Sequence, residues 1–516
     1  MPYRSANPFS SAALMRGLAP ITERFPRLYL GILSIMAGAA YGLLLGIPLL
    51  LFVSLLNFYR QASSLIPTVQ LDHIIGAGSW GLISLYAGIL SWKLLRMKLP
   101  LPQGLMIKPE SFPALQAILQ RTYEHFQIKP FSRIVMTERF EVSVTYTPRF
   151  GLPVWSTATL CLGLPVLQCL STTHFSCLLT GKIGQHAAPY SRWLHYLNKS
   201  RQLFKCYQQH FDRHHSWTTL PLRLFFRMFQ PLFTTLSVFI SHWEEIEADR
   251  YRLEIYSDAD LLDTILTTMA CQQFLQKHYW PNVITRLQKE SLRKALPHSR
   301  MSAAIRRALA GNKVNSLLHE VFKKKFDGKN HSLPLKKRLE NIGYDKLRSP
   351  SILIQNAAHE LLGEGEKKII EFMDKFWISR NLAEWKKVQQ KIRQKQSALA
   401  RLEKQSIDRL LSADELWKQA RLTEKLRGPA SAIPFYQALL KKDAQHARGL
   451  FAYGRILLRR GDERGVKLLE QSMSNEANLT PQACRLLFKF LLKNNQKQHA
   501  LLYRNRGLSF KQQQAA

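Results

Sequence analysis

Glu244 to Arg250, reading E-E-I-E-A-D-R, sets Glu245 and Asp249 four residues apart. On a helix that spacing stacks two carboxylates on one face, and like charges so placed need a cation beside them if they are buried. About 60 residues upstream, Thr180 to His186 reads T-G-K-I-G-Q-H. Zinc hydrolysis needs two imidazoles at i and i+4 on one helical face. A carboxylate between them takes a proton from the metal-bound water. At that spacing this segment offers Gly181, which has no side chain, and Gln185, a poor zinc ligand beside imidazole, with the cationic Lys182 next to Gly181. From Val142 to Trp243 there is no glutamate and one aspartate, Asp212, so no general-base carboxylate comes from the segment itself. The alternative ligands are His186, about 100° round the helix from Gln185, His174, two turns before Gly181, and His242, which could share a face with Glu245. Lys182 has a different use: its ammonium could replace a metal as the partner of Glu245 and Asp249, or simply point to solvent.

Elements must exist to position these groups. Ser171 is a helix N-cap residue, and Phe175, Leu178, Leu179 and Ile183 recur on one helical face after it, so the segment carrying Lys182 is predicted to be a helix. Arg133 to Thr137 has the β-branched and apolar content of a strand. Leu28 to Tyr59 carries no charged residue and, at ~1.5 Å per residue, exceeds a ~30 Å hydrocarbon core. Pro48 inside it predicts a tilted or kinked helix. Ile74 to Trp92 is a second uncharged run, rich in the small residues that let helices approach closely. The two read as a transmembrane hairpin. Arg4, Arg16, Arg24 and Arg27 precede it and Lys93, Arg96 and Lys98 follow, with only Arg60 between, which places both termini in the cytoplasm. Met228 to Ile240 is too short to span and reads as a core or interfacial helix.

The chain holds 73 Lys+Arg against 36 Asp+Glu, a formal net charge of +37. That excess favours acidic lipid headgroups, nucleic acid or acidic proteins, and the run Lys323 to Lys325 is its strongest local feature. No nucleic-acid motif accompanies it, so proximity to anionic lipid is the simpler account. The six cysteines form no CxxC pair or disulfide framework and suit a reducing compartment.

The order of these segments resembles the membrane zinc metallopeptidases related to the HtpX heat-shock protease and the CAAX prenyl protease, over roughly residues 100 to 345. Gly104 to Leu115 (GLMIKPESFPAL) is similar to the opening of their peptidase domain, and Leu160 to Leu170 (LCLGLPVLQCL) to their strand and turn. The family motif A-H-E-[LIF]-G-H-F lays its two zinc histidines on Gly181 and Gln185 and its general base on Lys182. Its E-[FY]-x-A-D-R signature lays the third zinc ligand on Glu245 and a supporting aspartate on Asp249. The asparagine that holds substrate on the edge strand falls on Glu141, in Phe140 to Val144. The Thr-His-Pro segment is replaced by His331 to Leu339 (HSLPLKKRL), with His331 one residue too far from Arg338.

The resemblance implies a mostly α, α+β architecture: a transmembrane hairpin, a zincin-like domain with a small sheet, and a C-terminal tetratricopeptide-like solenoid. The solenoid also shows as a weak 34-residue period pairing Leu416 with Leu450, Ala420 with Gly454 and Ala432 with Val466. Ser412 to Trp417 and Gly454 to Glu463 are similar to segments of the extension found in one subgroup of the family. The expected divisions are 1–27 cytoplasmic, 28–98 hairpin, 99–345 peptidase-like, 346–411 charged helical linker and 412–508 helical repeats. Site residues of the wrong types imply an inactive homologue of the bacterial inner membrane. Such a protein would need no cofactor, would act as scaffold or regulator in membrane-protein quality control, and would have a protein or peptide partner at residues 412–508. The alternatives are an active zinc endopeptidase with ligands from elsewhere, and a basic surface for acidic lipid or nucleic acid.

Overall fold

The computed structural model describes residues 24–64, 71–97, 102–148, 156–187, 192–289, 296–311, 313–323 and 333–513, together with Leu18, Pro20 and Thr22. Arg4, Arg16, Lys98, Lys324, Lys325 and His331 lie outside the described residues. The chain divides into two compact units, Met1–Arg380 and Asn381–Ala516.

The first unit opens with two helices long and apolar enough to cross a membrane, α1 (Pro26–Ser64) and α2 (Leu71–Leu95). They pack antiparallel. Gly81 and Gly88 of α2 stand where added Cβ atoms would touch Phe58 and Leu51 of α1 at 3.4 and 3.7 Å, the close approach that small residues allow. Helix α1 runs through Pro48 without ending.

A four-stranded sheet follows, built from β1 (Leu105–Ile107), β2 (Ile134–Thr137), β3 (Val142–Pro148) and β4 (Ser156–Gly163), with helix α3 (Pro113–His125) between the first two strands. The order is β1-β2-β4-β3, so β3 is an edge. It pairs antiparallel with β4 from Val142 opposite Leu162 to Pro148 opposite Ser156. The predicted strand at 133–137 is β2. The expected turn after β4 is a short helix, α4 (Leu164–Cys169), started by Pro165 at a position where a missing N–H costs nothing.

Helix α5 (Thr172–Ala187) carries Lys182, and the Ser171 hydroxyl accepts from the His174 N–H at 3.3 Å, as the cap signal predicts. Phe175, Leu179 and Ile183 are fully buried and Leu178 partly so. Helices α6 (Arg192–Arg213) and α7 (Leu220–Leu236) form a hairpin, and α8 (Val238–Leu253) bends away from α7 by 49°. The apolar run at 228–240 is therefore split at Ser237, with Phe233, Val238 and Ile240 in a core.

That core is shared with the hairpin. Tyr29, Leu33, Ala37, Ala40, Leu44 and Ile47 make one face of α1 and pack with Leu197, Phe204 and Tyr207 of α6, Phe226 and Phe233 of α7 and Ile240 of α8. Each such apolar side chain, fully buried, contributes about 2 kcal/mol. The main core joins the sheet and α3 to α5 with α9 (Asp258–Phe274), α10 (Trp280–Lys289), α11 (Pro297–Leu309), α12 (Lys313–Phe322), α13 (Leu335–Asn341) and α14 (Ala357–Leu362). The charged stretch after Gly363 is one helix, α15 (Gly365–Asp408), whose Ile369 and Met373 belong to this core. Residues 346–380 of the expected linker thus fall in the first unit.

Among the described residues of the second unit, six α-helices follow α15: α16 (Ala413–Arg427), α17 (Pro429–Lys442), α18 (Ala447–Arg459), α19 (Arg464–Asn475), α20 (Thr480–Lys493) and α21 (Lys497–Gln513). They form three antiparallel pairs whose first helices begin 34 and then 33 residues apart. Ser412 and Glu415 close a capping box at the first. Ala420 and Ala432 are buried between α16 and α17. Gly454 lets α18 cross α19 with its Cβ position 3.0 Å from the Gly465 carbonyl.

Candidate functional site

Helix α5 crosses α8 at two glycines. A Cβ added at Gly181 would lie 2.6 Å from Arg252 Nε and 3.0 Å from the Ala248 carbonyl, and one at Gly184 would lie 2.6 Å from Tyr251 Cγ. Real Cβ atoms do not approach that closely, so the crossing demands hydrogen at both positions. The space that a side chain at Gly181 would need holds the Arg252 guanidinium.

Asp249, one turn before Arg252 on α8, accepts from it and also from Arg338 of α13 in a two-pronged pair, Nε to Oδ2 at 2.8 Å and Nη2 to Oδ1 at 2.7 Å. Burial pushes the Asp249 carboxyl up, but the two guanidiniums outweigh it and hold the group below the usual aspartate value. Glu245 accepts from the Leu333 backbone N–H at 3.0 Å. Burial raises it, while Arg338, that N–H and Lys182 pull it partly back. The preceding Glu244 is paired with Arg201 of α6 at 3.1 Å, and burial raises its carboxyl too.

Of the two uses open to Lys182, the ion pair with Glu245 and Asp249 is not formed. The Lys182 ammonium donates to Gln185 Oε1 at 3.0 Å, and the Gln185 amide in turn donates to the Glu244 carbonyl. Lys182 is partly buried and does not simply face solvent; burial lowers its pKa although Glu244 and Glu245 oppose this. The cations on Asp249 are arginines, because only guanidinium offers the planar fork that matches a carboxylate.

The alternative histidines are held elsewhere. His174 bonds Asp263 at 3.0 Å. His186 accepts or donates at 2.7 Å with the Tyr146 hydroxyl, and burial, then the nearby His195 and Lys199, lower its pKa to about 4. His242 is buried on α8, its ring edge-on to Phe239. Among the described residues no three His, Cys, Asp or Glu side chains converge to hold a metal ion. The residues present do not fit zinc. Gly181 has no donor and no room for one, the Gln185 amide is engaged on both sides, and the two acidic positions face guanidinium and ammonium groups.

The edge strand is also occupied. Gln202 of α6 donates from Nε2 to the Val144 carbonyl at 3.4 Å and accepts from the Tyr146 N–H at 3.2 Å. One side-chain amide thereby makes both bonds that an added peptide strand would make there. Glu141, expected at the substrate-holding position, is exposed just before β3 and pairs with Arg139 at 3.5 Å.

The sequence motifs located Gly181, Lys182, Gln185, Glu245 and Asp249, and the fold brings all five to the α5–α8 crossing. Arg252, Arg338 and Gln202 were not assigned roles from the sequence. Arg252 was visible by spacing, three residues after Asp249 on the same helix. Arg338 was noted only as a landmark, and Gln202 carries no signal at all, since a tertiary contact alone brings α6 against β3. No protein-family model matches the sequence, and neither a curated protein nor a solved structure matches it.

Proposed function

We propose that this chain is a catalytically silent relative of the HtpX-like membrane metallopeptidases. It would be anchored by the α1–α2 hairpin in a bacterial inner membrane with both termini in the cytoplasm, and would serve as a scaffold or regulator in membrane-protein quality control. The observation that carries the reading is the Arg252 guanidinium seated against Gly181, where the resemblance would need a histidine, while Arg252 and Arg338 hold Asp249. A guanidinium neutralises the carboxylate but has no vacant orbital to activate water, so the centre keeps its packing and loses its chemistry. Gln202 on the edge strand supports the same conclusion from the substrate side. The three helical pairs of the second unit, with their near-34-residue step, support a tetratricopeptide-like array that presents a surface to a protein partner.

The test is zinc content and peptide-bond cleavage by the detergent-purified full chain, with a Glu245→Ala variant beside it. The expected result is zinc well below one per chain, unchanged in the variant, and no chelator-sensitive cleavage. About one zinc per chain in the wild type, lost in the variant, would revive the peptidase.

A further inference from the structure

Trp217, at the turn between α6 and α7, is 90 % exposed, and Met228 and Leu224 on α7 are 65 % and 52 % exposed. Large apolar side chains displayed together at a hairpin tip need a reason. Their position supplies one. The Tyr86 hydroxyl of α2 donates to the Thr218 carbonyl at 2.9 Å, and the Lys93 ammonium donates to Ser216 and Thr218 hydroxyls at 2.7 and 2.6 Å. Tyr86 lies about 10 Å along the helix axis from Lys93, toward the middle of α2. The tip is therefore moored to the outer third of an apolar helix whose own neighbours, Leu82, Leu85 and Trp92, face outward.

Charge points the same way. From Arg192 to Leu236 there are seven Lys and Arg and one carboxylate, Asp212. Arg213 and Arg227 are exposed and flank the apolar tip. Just past the end of α2, Arg96 stacks over the Trp92 ring at 3.8 Å. Aromatic rings and cations at one level, beside a spanning helix, are what a membrane–water interface selects.

We infer that the α6–α7 hairpin seats its tip, Arg213 to Met228, in the headgroup and upper acyl region of an anionic phospholipid bilayer alongside α2. Trp217, Leu224 and Met228 enter the acyl boundary by about 5–10 Å, while Arg213 and Arg227 remain among lipid phosphates. The first unit then contacts the bilayer through two separate elements, and the strand-capping Gln202 sits on the helix that leads to the lipid.

This inference rests on the reading of α1 and α2 as membrane spans, and the test separates the two. The full chain is reconstituted in vesicles of phosphatidylcholine and phosphatidylglycerol with an environment-sensitive fluorophore on Trp217→Cys. Leu82→Cys on α2 and Ile352→Cys, an exposed site elsewhere in the unit, serve as references, and the unsubstituted chain gives the background from native thiols. The probes are a lipid brominated high on its acyl chain and aqueous iodide. The inference expects the Trp217→Cys label to be quenched by lipid bromine as Leu82→Cys is, and shielded from iodide by at least about twofold relative to Ile352→Cys. Lipid quenching at Leu82→Cys with iodide access at Trp217→Cys overturns the inference and leaves the spans intact. Shielding of Trp217→Cys from both quenchers means that protein covers the tip, and overturns it equally. Absence of lipid quenching at Leu82→Cys removes the spanning helices and the inference together.

Discussion

Replacing Arg338 with methionine should show how much the buried pair between Arg338 and Asp249 contributes to the stability of the first unit. The pair is buried on both sides, with side-chain exposures of 12 % for Arg338 and 6 % for Asp249. Removing one partner of a buried, hydrogen-bonded ion pair costs about 3–5 kcal/mol, chiefly because the other charge is left without compensation. Arg252 still holds Asp249 Oδ1 in the variant, which favours the lower end, about 3 kcal/mol. At roughly 2 °C per kcal/mol for a large cooperative unit, Tm should fall by about 6 °C. Circular dichroism of the detergent-purified full chain measures it. Asp249 has its carboxyl held below the aspartate value of 3.8, so its contribution is present above that pH and is lost as pH falls through the lowered value. The gap between wild type and variant should therefore be widest near neutrality and close in acid. Removing all three charges of the cluster, with Arg338→Met, Arg252→Met and Asp249→Asn, should recover more than half of the loss. A single variant melting within 1 °C of wild type, or a triple variant less stable than the single, would refute the reasoning.

Glu245→Gln should leave Tm unchanged or slightly raised at neutral pH. Burial raises the Glu245 carboxyl, so its ionisation costs stability above pH 4.5 and ceases to matter as pH falls to that value; a metal site would predict a loss instead, and Tm across pH 4 to 8 decides. Rebuilding the zinc motif by Gly181→His, Lys182→Glu and Gln185→His should yield a chain that binds no zinc and is destabilised by about 1–3 kcal/mol, because Arg252 occupies the space. Zinc analysis checks it, and stoichiometric binding would show the crossing to be more pliable than its packing indicates. Gln202→Ala should free the outer edge of β3, so amide exchange at Tyr146 rises by about tenfold, equivalent to losing about 1.4 kcal/mol. Unchanged exchange measured by mass spectrometry would mean that the side chain does not cap the strand.

Periodic and capped elements were legible in the sequence. The two apolar runs, the helix after Ser171 and the strand at 134–137 each carry their signal within a few residues, and each forms where the local pattern puts it. The helical placing of Gly181, Lys182 and Gln185 beside Glu245 and Asp249 was legible too. The cation on Asp249 was not. Lys182, left open between that role and solvent, is engaged by Gln185, while Arg338 reaches Asp249 from 89 residues away. Contacts of that separation depend on how α13 docks, and no local pattern encodes the docking. The reading of 228–240 as one helix failed for a smaller reason: hydropathy does not register the bend at Ser237, whose hydroxyl donates back to the Thr234 carbonyl.

The face of α1 that runs from Tyr29 to Ile47 has a practical consequence for anyone hoping to work with a soluble fragment. An anchor joined by a linker can be cut away and leave its cargo folded. Here the cut would strip one wall from a room that is still in use: Phe204, Tyr207, Phe226, Phe233 and Ile240 would meet water along the line where Leu33, Leu44 and Leu94 had stood. A chain trimmed to begin after Met97 is therefore a sticky, half-built object, prone to aggregate, and its behaviour would say little about the intact protein. The apolar helix is part of the body it is joined to.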